Sequence, residues 1–240
     1  MKSLSVVIPT YNERKRLPKT LSDIIAYLQD NEISSEIIIS DSASTDGTQE
    51  FAQSFESKIP IKIIEDKVRQ GKGYGVKVGM LEATKDWVLF MDADNSTKIR
   101  EIAKFDKYIE ENQVIIGSRY KGREAERKQN IFRRIISRAG NRFIDMLTGL
   151  NFHDTQCGFK LFRRDAAEKI FSGLQTKGWG FDVEVLLLAQ KLGFKIAEVP
   201  VIWRDAEGSH LRAGRDSIKT FFEIIKISRM VKKNTHEKES

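Results

Sequence analysis

The chain has 240 residues, 40% of them hydrophobic and 31% charged, with a formal net charge of +7. That balance describes a soluble globular chain long enough for one α/β core and excludes a disordered or low-complexity protein. The single cysteine, Cys157, excludes an internal disulfide or a cysteine-built metal cluster.

The first apolar stretch, residues 4–8, is stopped by Pro9 and Asn12-Glu13-Arg14. It is too short for a signal peptide, and no apolar run approaches the ~20 residues of a spanning helix. A cytoplasmic location is expected. The charge excess is local. Residues 119–142 hold nine Lys and Arg against Glu124 and Glu126, while the remainder of the chain is balanced. A concentrated field of this kind suggests a particular anionic partner.

In chain order, residues 4–9 read as a first strand that leaves its sheet at Pro9. A helix over 18–30 follows, with Leu21, Ile24, Ile25 and Leu28 at helical spacing. Residues 36–40 form the next strand, closed by Asp41. Thr45 or Asp46 is placed to cap a helix through about Phe55. A third strand spans 61–64, Gly71-Lys72-Gly73-Tyr74-Gly75 opens a helix to about Thr84, and 87–91 is a fourth strand. This alternation predicts a mostly parallel sheet with right-handed crossovers.

Past the fourth strand the spacing predicts a helix over 98–111 and a strand at 114–116 running into Gly117-Ser118-Arg119. A polar, basic surface loop follows over 120–130. From Ile131 a helix carries the apolar stripe Phe132, Ile135, Ile136, Ala139, Phe143, Met146, Leu147 and Leu150. A short strand at 157–162, a helix capped by Asp165, a helix over 182–192 and a strand over 195–201 come next. The last element is an amphipathic helix over 216–232, carrying Ile218, Phe221, Phe222 and Ile225. A disordered tail is expected from 234 to 240.

The most telling stretch is Trp87-Val88-Leu89-Phe90-Met91-Asp92-Ala93-Asp94, a buried strand ending in two carboxylates. Ligands of open α/β sheets bind beyond the carboxyl ends of the strands. Paired carboxylates there suit Mg²⁺ or Mn²⁺, and through the ion a phosphate-bearing ligand. An Asp-rich turn capping the next helix is the plainer alternative. Glu13 and Asp41 lie at the same edge, and Gly71-Lys72-Gly73 opens a helix whose amides favour an anion. Taken singly, these are also ordinary turn and first-turn residues; together they converge on one edge. A dinucleotide site is disfavoured, because the glycines follow the third strand and form no full G-x-G-x-x-G. No P-loop is present. The basic stretch would also suit a nucleic-acid backbone, but it adjoins an acidic site and lacks interleaved stacking aromatics, so no nucleic acid is expected.

Residues 6–13, Asp41-Ser42-Ala43-Ser44-Thr45-Asp46-Gly47-Thr48, Gly71-Lys72-Gly73 and Asp92-Ala93-Asp94 occur in the order seen in glycosyltransferase family 2, which this chain resembles from Val6 to about Ser217. Asp92-Ala93-Asp94-Asn95-Ser96-Thr97, Gly117-Ser118-Arg119, Asp154-Thr155-Gln156-Cys157-Gly158-Phe159-Lys160 and Glu207-Gly208-Ser209 resemble the dolichyl-phosphate glucose and mannose synthase branch, the glucose side above all. The resemblance implies one α/β domain of GT-A fold over 1–233, with a nucleotide-sugar half to 118 and an acceptor half from 119. It also implies an inverting, Mg²⁺- or Mn²⁺-dependent transfer. The donor would be UDP-glucose, or alternatively GDP-mannose, and the acceptor a polyprenyl or dolichyl phosphate; a glycan hydroxyl is a further alternative acceptor.

Carried over residue by residue, Pro9, Tyr11, Glu13, Asp41, Lys72 and Asp92 would bind the nucleotide, and Asp92 with Asp94 the metal. Asp94, Arg119, Arg133 and Ser137 would serve catalysis, the last three on the donor and acceptor phosphates. Gln156, Lys160, Asp182 and Ser209 would stand on the acceptor side. Asp182 sits where relatives with hydroxyl acceptors keep a base, and equally where a helix N-cap belongs. Two departures are Ser42, where many relatives have a second acid, and His210, where a lysine often follows Gly-Ser. A spanless enzyme for a lipid phosphate is expected to contact an anionic membrane surface peripherally, through parts of helices 131–150 and 216–232.

Overall fold

The computed structural model describes residues 1–120, 131–204 and 223–228; within the helix that begins at 131, side chains are described from residue 140 onward. The loop expected over 120–130 (beyond Tyr120), most of the final helix, the tail, Ser209 and His210 lie outside the described residues.

One sheet of seven strands organises the rest. Strands β1 (Ser3–Thr10), β2 (Ser34–Asp41), β3 (Ile61–Glu65), β4 (Trp87–Met91), β5 (Val114–Ser118), β6 (Phe159–Arg163) and β7 (Ile196–Pro200) stand in the order β3-β2-β1-β4-β6-β5-β7. All neighbouring pairs are parallel except those of β6, which runs antiparallel to both β4 and β5. That reversal matters for the site. A strand entering against the others begins at their carboxyl edge, so residues 154–158 lie beside the ends of β4 and β5, with Met91 opposite Phe159.

Alternation along the strands sorts the core into two layers. Val7, Ile38, Val88, Phe90, Ile116 and Phe162 face one side, under helices α3 (Lys72–Leu81), α5 (Arg164–Gly173) and α6 (Phe181–Lys191). Val6, Ile8, Ile37, Ile39, Leu89, Met91, Phe159 and Leu161 face the other, under α1 (Leu17–Asp30) and α2 (Thr48–Ser54). The helix α4 (Ile131–Thr148) contributes Ile144 to the first layer, as residues 224 and 227 do from the described helical segment 223–228.

Several local expectations need correction. Residues 99–108 form a 3-10 helix in place of an α-helix. Ile99, Ile102, Phe105 and Tyr108 recur every third position, and at three residues per turn they stack in one row, which lies on the sheet. Asp165 is not the cap of α5; it lies in the first turn and receives the Arg163 guanidinium at 2.6 and 2.7 Å. Gly47, with φ 85°, occupies the N-cap of α2, while Asp46 accepts from the Thr48 amide at 3.1 Å. On α4, Met146 is 75% exposed and Ile144 takes the buried place. In the final helix, Ile224 and Ile227 are buried and Ile225 is half-buried.

Candidate active site

The carboxyl edge of β1, β2 and β4 gathers the residues expected there. Pro9 and Tyr11 are half-buried at the end of β1, and the Arg69 guanidinium lies 3.8 Å above the Tyr11 ring. Asp41, at the end of β2, is 1% exposed. It accepts from Thr10 Oγ1 (2.7 Å), Ser44 Oγ (2.6 Å), Ser44 N–H (2.9 Å) and Gln49 Nε2 (2.6 Å). Four donors fill the acceptor capacity of one carboxylate. Asp41 therefore ties the loops after β1 and β2 together.

Glu13 receives both arms of the Arg16 fork at 2.6 and 2.7 Å. Burial pushes its carboxyl up to about 7; Arg16 opposes the rise, and the charges of Asp94 and Asp92 add to it. Asp92 ends β4 and forms an ion pair with Lys72 Nζ at 2.7 Å. Lys72 also lies 4.8 Å from the Trp179 ring and 5.6 Å from that of Phe90. Burial works against the Lys72 charge, but Asp92 and Asp182 outweigh it, so its pKa is raised. The Asp94 pKa is raised by burial and by Asp92, although the Ser96 amide donates to Asp94 at 2.9 Å.

Asp92 and Asp94 thus hold like charge at close quarters, and a divalent cation would relieve it. Hard carboxylate oxygens suit Mg²⁺ or Mn²⁺. Among the described residues no three His, Cys, Asp or Glu side chains form a metal cage. Two protein carboxylates suit an ion that completes its shell with water and ligand phosphate, as Mg²⁺ commonly does.

Glycines bring two backbones against this edge. A Cβ on Gly158 would stand 1.9 Å from Asp92 Oδ2. A Cβ on Gly73 would stand 2.5 Å from the Thr176 carbonyl oxygen and 2.7 Å from Phe181 Cβ, and one on Gly71 2.3 Å from the Lys177 carbonyl oxygen. In this structure Gly71 and Gly73 serve the close approach of the 176–178 segment to α3, which sets Trp179 over Lys72.

Arg119, expected in catalysis, and Lys160 with Asp182, expected on the acceptor side, are held in two ion pairs. Arg119 donates to Asp154 through Nε (2.7 Å), Nη2 (2.9 Å) and its own amide (2.9 Å). Asp154 is fully buried; burial works against the Arg119 charge, but Asp154 raises its pKa further. Glu198 continues the chain, accepting the Asp154 amide at 2.8 Å and contacting His153 Nδ1 at 2.8 Å. Lys160, 1% exposed, donates to the Cys157 carbonyl at 2.6 Å and to Asp182. Asp182 does not cap α6: Gly180 holds that position, and Asp182 lies in the first turn, 5% exposed. Burial raises the Asp182 pKa against the pull of Lys160 and Lys72.

Gln156 is half-buried in the loop before β6. Arg133 and Ser137 fall in the part of α4 whose side chains lie outside the described residues. Sequence reasoning did not single out Arg69, Trp179 or Gly158. Their signals are faint: an arginine near the glycine segment, a tryptophan two residues before an acidic first turn, and a glycine between a buried cysteine and a strand.

A mostly parallel α/β sheet with an acidic turn at its carboxyl edge matches a known family. Residues 5–171 match the family described as Glycosyl transferase family 2, and the chain belongs to it. It is a glycosyltransferase of GT-A fold, similar to several dolichyl-phosphate β-glucosyltransferases. That of Dictyostelium discoideum is 38% identical over 239 residues, 93% of this chain and 73% of the relative. That of Homo sapiens is 35% identical over 226 residues, 88% and 70%. Among solved structures, glucosyl-3-phosphoglycerate synthase from Mycobacterium tuberculosis with phosphoglyceric acid superposes with a TM-score of 0.71 at 20% identity, covering 95% of this chain and 80% of that one. The same enzyme with Mn²⁺ and UDP-glucose gives 0.65 at 20% identity, covering 94% and 79%. These structural likenesses carry the fold.

Proposed function

We propose that this glycosyltransferase moves glucose from UDP-glucose, with inversion and with Mg²⁺ or Mn²⁺, onto dolichyl phosphate or a related polyprenyl phosphate at the cytoplasmic face of a membrane. The names of the relatives support the sugar and the lipid. The observation that carries the acceptor class is the buried pair of Lys160 and Asp182. A hydroxyl acceptor requires a base within reach. By the family resemblance Asp182 stands where that base would be, and it is nearly enclosed and held by an ammonium group. A phosphate monoester is already ionised at neutral pH and needs no base.

The protein's work is then positioning and charge compensation. Tyr11, with Arg69 over one side of its ring, would offer an aromatic face to the base beside Pro9, Glu13 and the Asp41-braced loops. Lys72 brings positive charge to the departing diphosphate. A divalent ion held by Asp92 and Asp94 would supply Lewis-acid charge to the same group. Arg119, fixed by Asp154, would supply positive charge to the acceptor phosphate; for Arg133, Ser137, Gln156 and Ser209 the family resemblance alone supports a role on the acceptor side. One acceptor phosphate oxygen bonds to the anomeric carbon as the bond from that carbon to the UDP oxygen breaks, giving a glucosyl phospholipid and UDP. No described helix is long and apolar enough to cross a membrane. The exposed Met146 and Arg142 of α4 make a surface suited to meeting a bilayer with anionic headgroups.

The test offers radiolabelled UDP-glucose and GDP-mannose in turn, with dolichyl phosphate and Mg²⁺ or Mn²⁺. Label moving into organic solvent from UDP-glucose, and abolished by EDTA, is the expected result. Transfer only to a glycan hydroxyl, or undiminished transfer in EDTA, overturns the proposal.

A further inference from the structure

One face of α1 does more than cover the sheet. Leu17, Leu21, Ile24 and Leu28 are its fully buried apolar residues, and Thr20 is fully buried among them. A threonine there commonly bonds back one turn, and Thr20 Oγ1 does lie 3.1 Å from the Arg16 carbonyl. Its nearer partner, at 2.7 Å, is the carbonyl of Ala93, the residue between Asp92 and Asp94. A hydroxyl has one proton, and the shorter contact runs to the acidic turn. One turn further along, Asp23 Oδ2 accepts from Asn95 Nδ2 at 2.7 Å and from Lys98 Nζ at 3.2 Å. Asn95 has φ 57°, a left-handed backbone that an unbraced asparagine adopts only at some cost. One turn earlier, Arg16 holds Glu13. Positions 16, 20 and 23 lie on one stripe of a helix.

We propose that Thr20 and Asp23 are positioning residues for the Asp92–Asp94 turn, holding both carboxylates in the geometry that receives a divalent ion. The proposal rests on the metal reading above. The turn carries two mutually repelling carboxylates, and repulsion drives them apart unless the backbone between and after them is anchored. Thr20 anchors the carbonyl between them and Asp23 the residue after them. Both anchors come from a helix that the hydrophobic core already fixes. Outer partners of this kind commonly change metal affinity 10–100-fold.

The test measures Mn²⁺ binding by electron paramagnetic resonance, with Mn²⁺ alone and with Mn²⁺ plus UDP, alongside Tm. The proteins are the full chain and its Thr20→Val, Thr20→Ser, Asp23→Ala and Leu21→Ala variants. Thr20→Val and Asp23→Ala are expected to weaken Mn²⁺ binding about tenfold, and Thr20→Ser, which keeps the hydroxyl, to restore it. Leu21→Ala is expected to lower Tm while leaving Mn²⁺ affinity in place. Affinity that merely follows Tm across the series, or that is unchanged in Thr20→Val and Asp23→Ala, overturns the positioning role. Failure of the unsubstituted chain to bind Mn²⁺ in either condition overturns the metal reading itself.

Discussion

Lys160 and Asp182 show how one residue's surroundings decide its chemistry. Breaking a buried pair leaves an uncompensated charge, which costs more than the pair contributes. Lys160→Met is expected to lower unfolding free energy by roughly 3 kcal/mol, and Lys160→Met with Asp182→Leu to recover most of that. Urea denaturation of both variants measures this; additive losses would show that the two side chains do not act as a pair. Glu13 makes a pH prediction. Its folded pKa, about 7, lies above the ordinary 4.5, so the folded state holds the proton more tightly. Its contribution to stability is fully present below about 4.5 and is lost as pH rises through 7. A rise from 4.5 to about 7 corresponds to roughly 3 kcal/mol. Unfolding free energy relative to Glu13→Gln is expected to fall by up to that amount between pH 4.5 and 8. A difference independent of pH would contradict the assignment.

Among elements, α3 and the segment before α6 depend on each other's bare backbone. The sequence suggests that Gly71 and Gly73 leave amides free for an anion, whereas the structure uses them to let Thr176 and Lys177 approach. Gly73→Ala forces that contact apart against backbone oxygen, which no rotamer change relieves. Loss of about 1–3 kcal/mol is expected, together with a raised KM for the nucleotide sugar as Trp179 and Lys72 separate. Thermal unfolding and initial-rate kinetics read the two effects; a full retention of both would show that the helix shifts freely. The 99–108 segment is a related lesson. Its period-three apolar row is visible in the sequence, but a row at that spacing also serves an α-helix, and packing of all four side chains on the sheet selected the tighter turn.

At the scale of the molecule, the edge where β1, β2 and β4 end gathers Glu13, Asp92 and Asp94 with Arg16 and Lys72, the place proposed above for a nucleotide with a divalent ion. Binding to the folded state alone stabilises it by mass action, about 2.7 kcal/mol at a hundredfold excess over Kd. Mn²⁺ with UDP is therefore expected to raise Tm by several degrees, an effect removed by EDTA and absent in Asp92→Ala. A rise that persists in Asp92→Ala would place the nucleotide elsewhere.

The succession of strands and helices up to β4, the two-sided burial of its apolar run and the gathering of Glu13, Asp41, Lys72, Asp92 and Asp94 at one edge were legible from residue pattern alone; the order of strands in the sheet was not. Parallel strands joined by helices put every strand's carboxyl end on the same side, so local periodicity was enough. Pairing was not legible. Arg119 and Asp154 are 35 residues apart, Lys160 and Asp182 are 22 apart, and Thr20 reaches Ala93 across 73. Which charge meets which depends on the antiparallel insertion of β6 and on the register of α1 over the sheet. Sequence determined that β4 ends in two carboxylates at the edge where ligands of such sheets bind. Only the tertiary structure decided that the candidate base is closed off and that the acidic turn is held from the helix behind it, because burial and long-range contacts set those charges.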